Sequence, residues 1–216
     1  MELPHFQTLR VDHETGTSIA TISLDRPERL NALSRVLLTE LVDVCRWIDA
    51  QRELKVVVVR GEGRAFSAGF DLDDFATPAS GITPRDAADL GRLASEALTD
   101  VRPLTIGAIH GHCVGGGVVL AASCDLRVAA DDARFSIPEV DLGIPLAWGG
   151  IPRLVRELGP ALTKELVLTC RPFDAHEALS LRFINRVVPA AELDATTAAQ
   201  MREARVDQLP VLDAEG

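Results

Sequence analysis

Apolar positions along the chain follow two periods. Short unbroken runs have the length and β-branching of buried strands: Val56-Val-Val-Val59, Leu104-Thr-Ile-Gly-Ala-Ile109 and residues 126–129. Residues 6–11 and 18–24 read as two further strands joined in a hairpin near Glu14-Thr-Gly16, and residues 185–188 as a last strand. Between them the apolar residues recur at helical spacing. Ser34 is expected to cap a helix running to about residue 50, with Leu37, Leu41, Val44, Cys45 and Ile48 on one face. After a small-residue loop at 77–83, Thr83-Pro84 opens a helix to about residue 100, which Pro103 ends. Residues 118–122, 161–168 and 175–181 read as helices too. Strands alternating with helices predict an α/β chain. No internal sequence repeat is visible.

Two of the junctions carry unusual chemistry. Gly111-His-Cys-Val-Gly-Gly-Gly117 lies between the apolar run ending at Ile109 and the one starting at Val118, and reads as strand, glycine turn and buried helix. Consecutive glycines let a backbone approach a ligand closely and leave its N–H groups unshielded. At the first turn of a helix those N–H groups lack an internal partner, so the turn can hold an anion or an oxygen that becomes one. Arg64-Ala-Phe-Ser-Ala-Gly-Phe-Asp-Leu72 follows the run of valines and is also rich in small residues. Two such loops can each aim one backbone N–H at the same oxygen, the arrangement of an oxyanion hole. Each loop read alone is equally compatible with a tight structural turn.

Composition narrows the function. The chain has 216 residues, 47% of them hydrophobic, enough for one domain with a sizeable core. A net charge of −10 argues against a nucleic-acid partner and requires local cations wherever an anionic group is to bind. Cys45, Cys113, Cys124 and Cys170 have no metal-ligand spacing and read as buried free thiols of a cytoplasmic protein. The start, Met1-Glu-Leu-Pro-His, has no basic region followed by an apolar run, so no signal peptide is expected. Residues 104–123 are long and uncharged enough to span a bilayer, but their five glycines and two histidines fit the strand-turn-helix reading better, and no membrane partner is expected.

Four segments in order resemble the crotonase family, also called the enoyl-CoA hydratase/isomerase superfamily. They are Leu24-Asp-Arg-Pro-Glu-Arg-Leu-Asn-Ala-Leu33, Phe66-Ser-Ala-Gly-Phe-Asp-Leu72, the glycine segment 111–117 with Cys124-Asp125, and Phe135-Ser-Ile-Pro-Glu-Val-Asp-Leu-Gly-Ile144. The resemblance runs from about residue 19 to about residue 190. It implies a spiral of repeated β-β-α units over residues 1–190. It also implies trimers or dimers of trimers, and an acyl-CoA substrate. Coenzyme A would be part of that thioester rather than a tightly bound cofactor. Members usually continue with several more helices. Here 27 residues follow Pro189, so a shortened C-terminal region, 191–216, is expected, with one helix over about 191–205 and a frayed tail. Part of the pocket wall and of the assembly surface is then expected to be missing or supplied differently.

Carried over residue by residue, the resemblance makes the backbone N–H groups of Phe70 and Gly116 the oxyanion donors for a thioester carbonyl. The Phe70 ring either shapes the acyl channel or is ordinary core. Glu139 matches a catalytic glutamate. On its residues alone it reads as a carboxylate in an apolar run, either activated by burial or held in an ion pair with Arg153. Arg29 matches a phosphate contact; Leu30, Ala68 and Leu72 match backbone contacts to adenine or pantetheine; and Asp71 is expected to order its loop. Arg26 and Arg64 are weaker phosphate candidates, equally readable as surface charges. His110 and His112 read as strand and loop packing, and Trp148 as a pocket wall or a helix-packing residue. Two absences matter. Hydratases of the family carry a second glutamate where this chain has Val119. Dienoyl-CoA isomerases and aryl-CoA dehalogenases carry an aspartate where it has Ala147. One glutamate suffices to move a proton from C2 to C4, so a Δ3,Δ2-enoyl-CoA isomerase is expected, with Asp141 as a substitute base. The alternatives are an enoyl-CoA hydratase of restricted activity and a non-catalytic acyl-CoA-binding homologue.

Overall fold

A computed structural model describes residues 3–13, 16–76 and 84–203. In chain order the strands are β1 (Leu9–His13), β2 (Ile19–Leu24), β3 (Val56–Gly61), β4 (Ala65–Ser67), β5 (Leu104–Ile109), β6 (His112–Val114), β7 (Leu126–Ala130), β8 (Arg134–Ser136), β9 (Phe173–Asp174) and β10 (Arg186–Val188). The helices are α1 (Arg35–Ala50), α2 (Leu72–Ala76), α3 (Pro84–Asp100), α4 (Gly116–Ala122), α5 (Gly150–Leu158), α6 (Pro160–Thr169), α7 (Ala175–Ser180) and α8 (Leu193–Glu203). A six-stranded sheet runs β1-β2-β3-β5-β7-β10, parallel except for the β1–β2 hairpin. A second sheet of four short strands runs β4-β6-β8-β9. Three times the chain makes a strand of the first sheet, a short strand of the second, and then helix: β3-β4 into α2 and α3, β5-β6 into α4, and β7-β8 into α5. This is the expected β-β-α spiral.

The central strands are apolar on both faces because both faces are covered. Val57, Val59, Ile109 and Ala129 join the main core under α1, α3 and α4. Their neighbours Val56, Val58, Ile106, Ala108, Val128 and Ala130 point the other way and pack with Leu193, the first residue of α8. Successive strand residues alternate faces, so one valine run supplies two cores. Asp125, next to buried Cys124, explains part of the third motif: its carboxylate accepts from the N–H and hydroxyl of Thr105, both at 2.8 Å, and so ties the end of α4 to the start of β5.

Several boundaries differ from the sequence-based expectation. β1 begins at Leu9 rather than residue 6, because Gln7 and Thr8 donate their N–H groups to the Glu40 carboxylate of α1 at 2.7 and 2.9 Å instead of to a strand. The hairpin register closes at His13 and Ala20, and residues 14 and 15 lie outside the described part. Ser34 caps α1 as expected, its hydroxyl accepting from the Leu37 N–H. The Thr83 cap and the 77–83 loop fall outside the described residues. A 3-10 turn at Ala190–Glu192 precedes α8, and residues 204–216 are outside the described part as well. The individual short strands of the second sheet, and α5, leave no signature in the residue pattern. Strands of two or three residues show no period, and Gly149-Gly150 and Pro152 disguise a helix whose proline lies in its first turn, where no N–H is needed.

Arg127 locks α4 to its surroundings. Its guanidinium is buried, donates to the carbonyls of Cys124 at 2.7 Å, Ala121 at 3.3 Å and Phe183, and pairs with Glu157 of α5. Arg127→Ala leaves these buried carbonyls without their donor. We expect a loss of about 3–5 kcal/mol in folding free energy, measured by urea denaturation.

Candidate functional site

The two glycine loops meet backbone to backbone. Gly69 has a φ of +86°, and a Cβ there would overlap the Val114 carbonyl oxygen and lie 3.3 Å from the Gly116 nitrogen. Gly111 has a φ of +54°, and a Cβ there would overlap the Arg64 carbonyl. Side chains are therefore excluded at both crossings. The expected strand, turn and helix is refined in one respect: residues 112–114 form β6, and α4 itself starts at Gly116. His112 on that strand is exposed rather than packed, whereas His110 reaches the Gly63 carbonyl at 2.9 Å.

Local hydrogen bonds bypass two N–H groups. Leu33 donates to Gly69 O at 2.7 Å and Asp71 to Leu33 O at 3.3 Å, which passes over Phe70. Gly115 donates to Ser136 O at 2.8 Å, and Val118 and Val119 donate to Gly115 O at 2.9 and 3.1 Å, which passes over Gly116. Among the described residues the Phe70 and Gly116 N–H groups have no partner, and the loops that carry them touch.

Glu139 lies against Gly115, the residue before Gly116. It is 7% exposed, and a Cβ on Gly115 would overlap its Oε1 and lie 3.1 Å from its carboxyl carbon. Its Oε2 is buried without a hydrogen-bond partner. Burial raises its pKa above the ordinary 4.5, opposed only by its own N–H. The alternative of an ion pair with Arg153 is not what forms. That guanidinium donates instead to the carbonyls of Trp148 and Gly149, both at 3.3 Å, and to the Thr99 hydroxyl at 3.4 Å. Asp141 and Ala147 are both exposed. Val119 is fully buried on α4, one of its methyls 2.8 Å from where a Cβ on Gly150 would be.

The remaining candidates line the edge between α1 and α2. Leu30 has a φ of +50° and accepts from the Ala68 N–H at 2.8 Å. Leu72 is exposed at the start of α2. Arg29 is exposed and pairs with Asp73 at 2.8 Å. Asp71 is buried and accepts from the Asp74 N–H at 3.1 Å and from Arg26 at 2.7 Å. Burial pushes its carboxyl up, but Arg26 and the Asp74 N–H outweigh that and hold it below the ordinary value. Arg26 also donates to the Ala32 carbonyl, so it braces this turn from inside. Arg64 is exposed. Two bracing residues escaped the sequence reading. Asn31, buried with a φ of +54°, donates to the carbonyls of Glu62 and Ala65 and accepts from the Arg26 N–H. Buried Ser67 donates to the Asn31 carbonyl and accepts from the Gly69 N–H. The available signal was Asn31's place between apolar residues in a turn, since asparagine tolerates left-handed backbone.

Aromatic rings close one side. Phe70 lies 4.1 Å from Phe75 and 5.8 Å from Trp148, ring centre to ring centre. Among the described residues no group of His, Cys, Asp and Glu could hold a metal ion, and no helix is long and apolar enough to cross a membrane.

Known proteins share this framework. The enoyl-CoA hydratase/isomerase family model matches residues 14–209. The short-chain-enoyl-CoA hydratase of Clostridium acetobutylicum is 35% identical over 199 residues, covering 92% of this chain and 76% of that protein. The human mitochondrial Δ(3,5)-Δ(2,4)-dienoyl-CoA isomerase is 33% identical over 206 residues, covering 89% and 62%. A Thermobifida fusca structure in complex with acetoacetyl-CoA superposes with a TM-score of 0.85 at 33% identity, covering 94% of this chain and 82% of that one. Motifs, fold and relatives agree, and the chain belongs to the enoyl-CoA hydratase/isomerase, or crotonase, family.

Proposed function

We propose that the protein shifts the double bond of an acyl-CoA thioester through an enolate, as a Δ3,Δ2-enoyl-CoA isomerase. The observation that carries this reading is one buried, unpaired carboxylate, Glu139, beside two unpartnered backbone N–H groups, with apolar Val119 where a second acid would be needed for hydration. The Phe70 and Gly116 N–H groups would bind the thioester oxygen. Glu139 takes a proton from C2, and the charge spreads from the carbonyl oxygen to C4. The protonated Glu139 then delivers the proton to C4, which moves the double bond to C2–C3. Each donor contributes about 3–4 kcal/mol to such a transition state. Coenzyme A enters as part of the substrate. Leu30, Ala68 and Leu72 would border its adenine and pantetheine, Asp71 would keep the loop in place, and Arg29 would exchange Asp73 for a phosphate. A second reading, enoyl-CoA hydratase, is favoured by the name of the Clostridium relative. Assays of purified protein with 3-enoyl-CoA and 2-enoyl-CoA side by side decide between them: faster hydration than isomerisation overturns the isomerase reading.

Glu139→Gln should lower isomerisation by about 10²–10⁴-fold while acyl-CoA affinity stays nearly unchanged. The base must be ionised, so the acid limb of kcat/KM in the native enzyme should lie above pH 4.5. Stability should respond in the opposite sense. The folded protein holds this proton more tightly than the unfolded chain, so folding free energy falls as pH rises from 4.5 through the raised folded value. Glu139→Gln should therefore melt several degrees higher than the native protein at neutral pH. The difference should vanish toward pH 4, as read by thermal denaturation.

Val119→Glu should raise hydration of a short 2-enoyl-CoA, because valine can neither accept nor donate a proton. The new charge is expected to cost several kcal/mol of stability, so thermal denaturation accompanies the assay. Self-association belongs to the same proposal. Val140, Leu142, Ile151 and Val155 are exposed along the segment from Glu139 into α5. A trimer or dimer of trimers would cover such apolar surface. Light scattering at micromolar concentration should give a mass well above the monomer's.

A further inference from the structure

The Trp148 indole packs against glycines of two helices, Gly91 of α3 and Gly116 of α4. Trp148 and Gly149 both have left-handed backbone, with φ of +60° and +69°, a costly conformation for a tryptophan. Arg153 holds that turn by donating to both carbonyls. The turn directs the indole inward, and the residue is only 7% exposed. Its five-membered ring and ring junction lie against Gly91 of α3, where a Cβ would overlap them. Its six-membered ring lies against Gly116 of α4, where a Cβ would overlap it as well and come within 2.9 Å of Cη2. Both helices thus present a glycine to the same ring. Phe70 closes a third side, backed by Phe75.

This ring lies beside the two proposed oxyanion donors, in contact with the residue that carries one of them, whereas Glu139 lies on the Gly115 side. An acyl chain whose carbonyl binds the Phe70 and Gly116 N–H groups therefore meets the indole where a longer chain would continue between α3 and α4. We infer that Trp148 is a specificity-determining residue that closes this passage and restricts the site to short-chain acyl thioesters. The inference rests on the acyl-CoA reading and adds a substrate class to it. In an open apolar pocket each added methylene would strengthen binding. Here a long chain has to expel the indole and unmake the Gly91 and Gly116 contacts, so the order reverses.

Calorimetric titration of the full chain with butanoyl-CoA and decanoyl-CoA tests this. The native protein should bind decanoyl-CoA at least about tenfold more weakly than butanoyl-CoA. Trp148→Ala and Trp148→Leu should bring the two affinities to within about threefold or invert them, with native circular dichroism confirming the fold. Equal or tighter binding of decanoyl-CoA by the native protein overturns the inference, and so does an unchanged preference in the folded variants. If neither variant keeps the native dichroism, the ranking measured on the native protein decides. Failure of the native protein to bind butanoyl-CoA or coenzyme A removes the acyl-CoA reading together with this one. Butanoyl-CoA binding without a chain-length preference removes this one alone.

Discussion

The site depends on two backbone segments approaching more closely than any side chain would permit. At Gly69 and Gly111 a single methyl would meet a carbonyl oxygen of the neighbouring loop, and both residues have positive φ. The contact brings together segments far apart in sequence, the exit of β4 and the entry to α4. It also brings the loop that carries the unpartnered Phe70 N–H against the one that carries the Gly116 N–H. Hydrogen bonds on either side stop one residue short of each. Strand-like pairing at Leu33 and Asp71 fixes the first loop, and the Ser136 carbonyl fixes the second. The two N–H groups are thereby held by their neighbours' bonds and not by bonds of their own, which the proposed stabilisation of charge requires.

A buried carboxylate with an unpartnered oxygen opposes folding, and Glu139 is one. Among the described residues no cation pairs with it. Arg153 is directed to the carbonyls of the turn at Trp148 and Gly149, and Arg26 to Asp71 and Ala32. Arg26 and Asp71 are paired and brace their loop, while Oε2 of Glu139 is left without a partner. A raised pKa follows from burial that only its own N–H opposes, and it makes this group a stronger base than an exposed carboxylate.

The doubly covered sheet supplies the rigidity behind this arrangement. Helices α1, α3 and α4 cover one face, and Leu193 of α8 contributes to covering the other. Arg127 and Asp125 join the far end of α4 to α5, β5 and the segment before β10. The end of α4 that carries Gly116 is thus anchored through its opposite end.

The sequence alone determined what depends on local dihedrals and short-range burial. Runs of valine and isoleucine marked the central strands, Ser34 marked the start of α1, and the glycines marked where backbone must approach backbone. Glu139 in an apolar run and Val119 after the glycines were both visible as chemical statements. The tertiary structure decided what depends on residues brought together from distant segments. The three-residue strands of the second sheet exist only because β4, β6 and β8 lie side by side, and nothing periodic announces them. Whether Arg153 would neutralise Glu139, and whether Arg26 would face solvent or brace Asp71, turned on which carbonyls and carboxylates the crossovers placed within reach. Trp148 could be read as wall or packing because its position depends on two glycines, Gly91 and Gly116, 57 and 32 residues before it in the chain. Only the folded chain brings both to one ring.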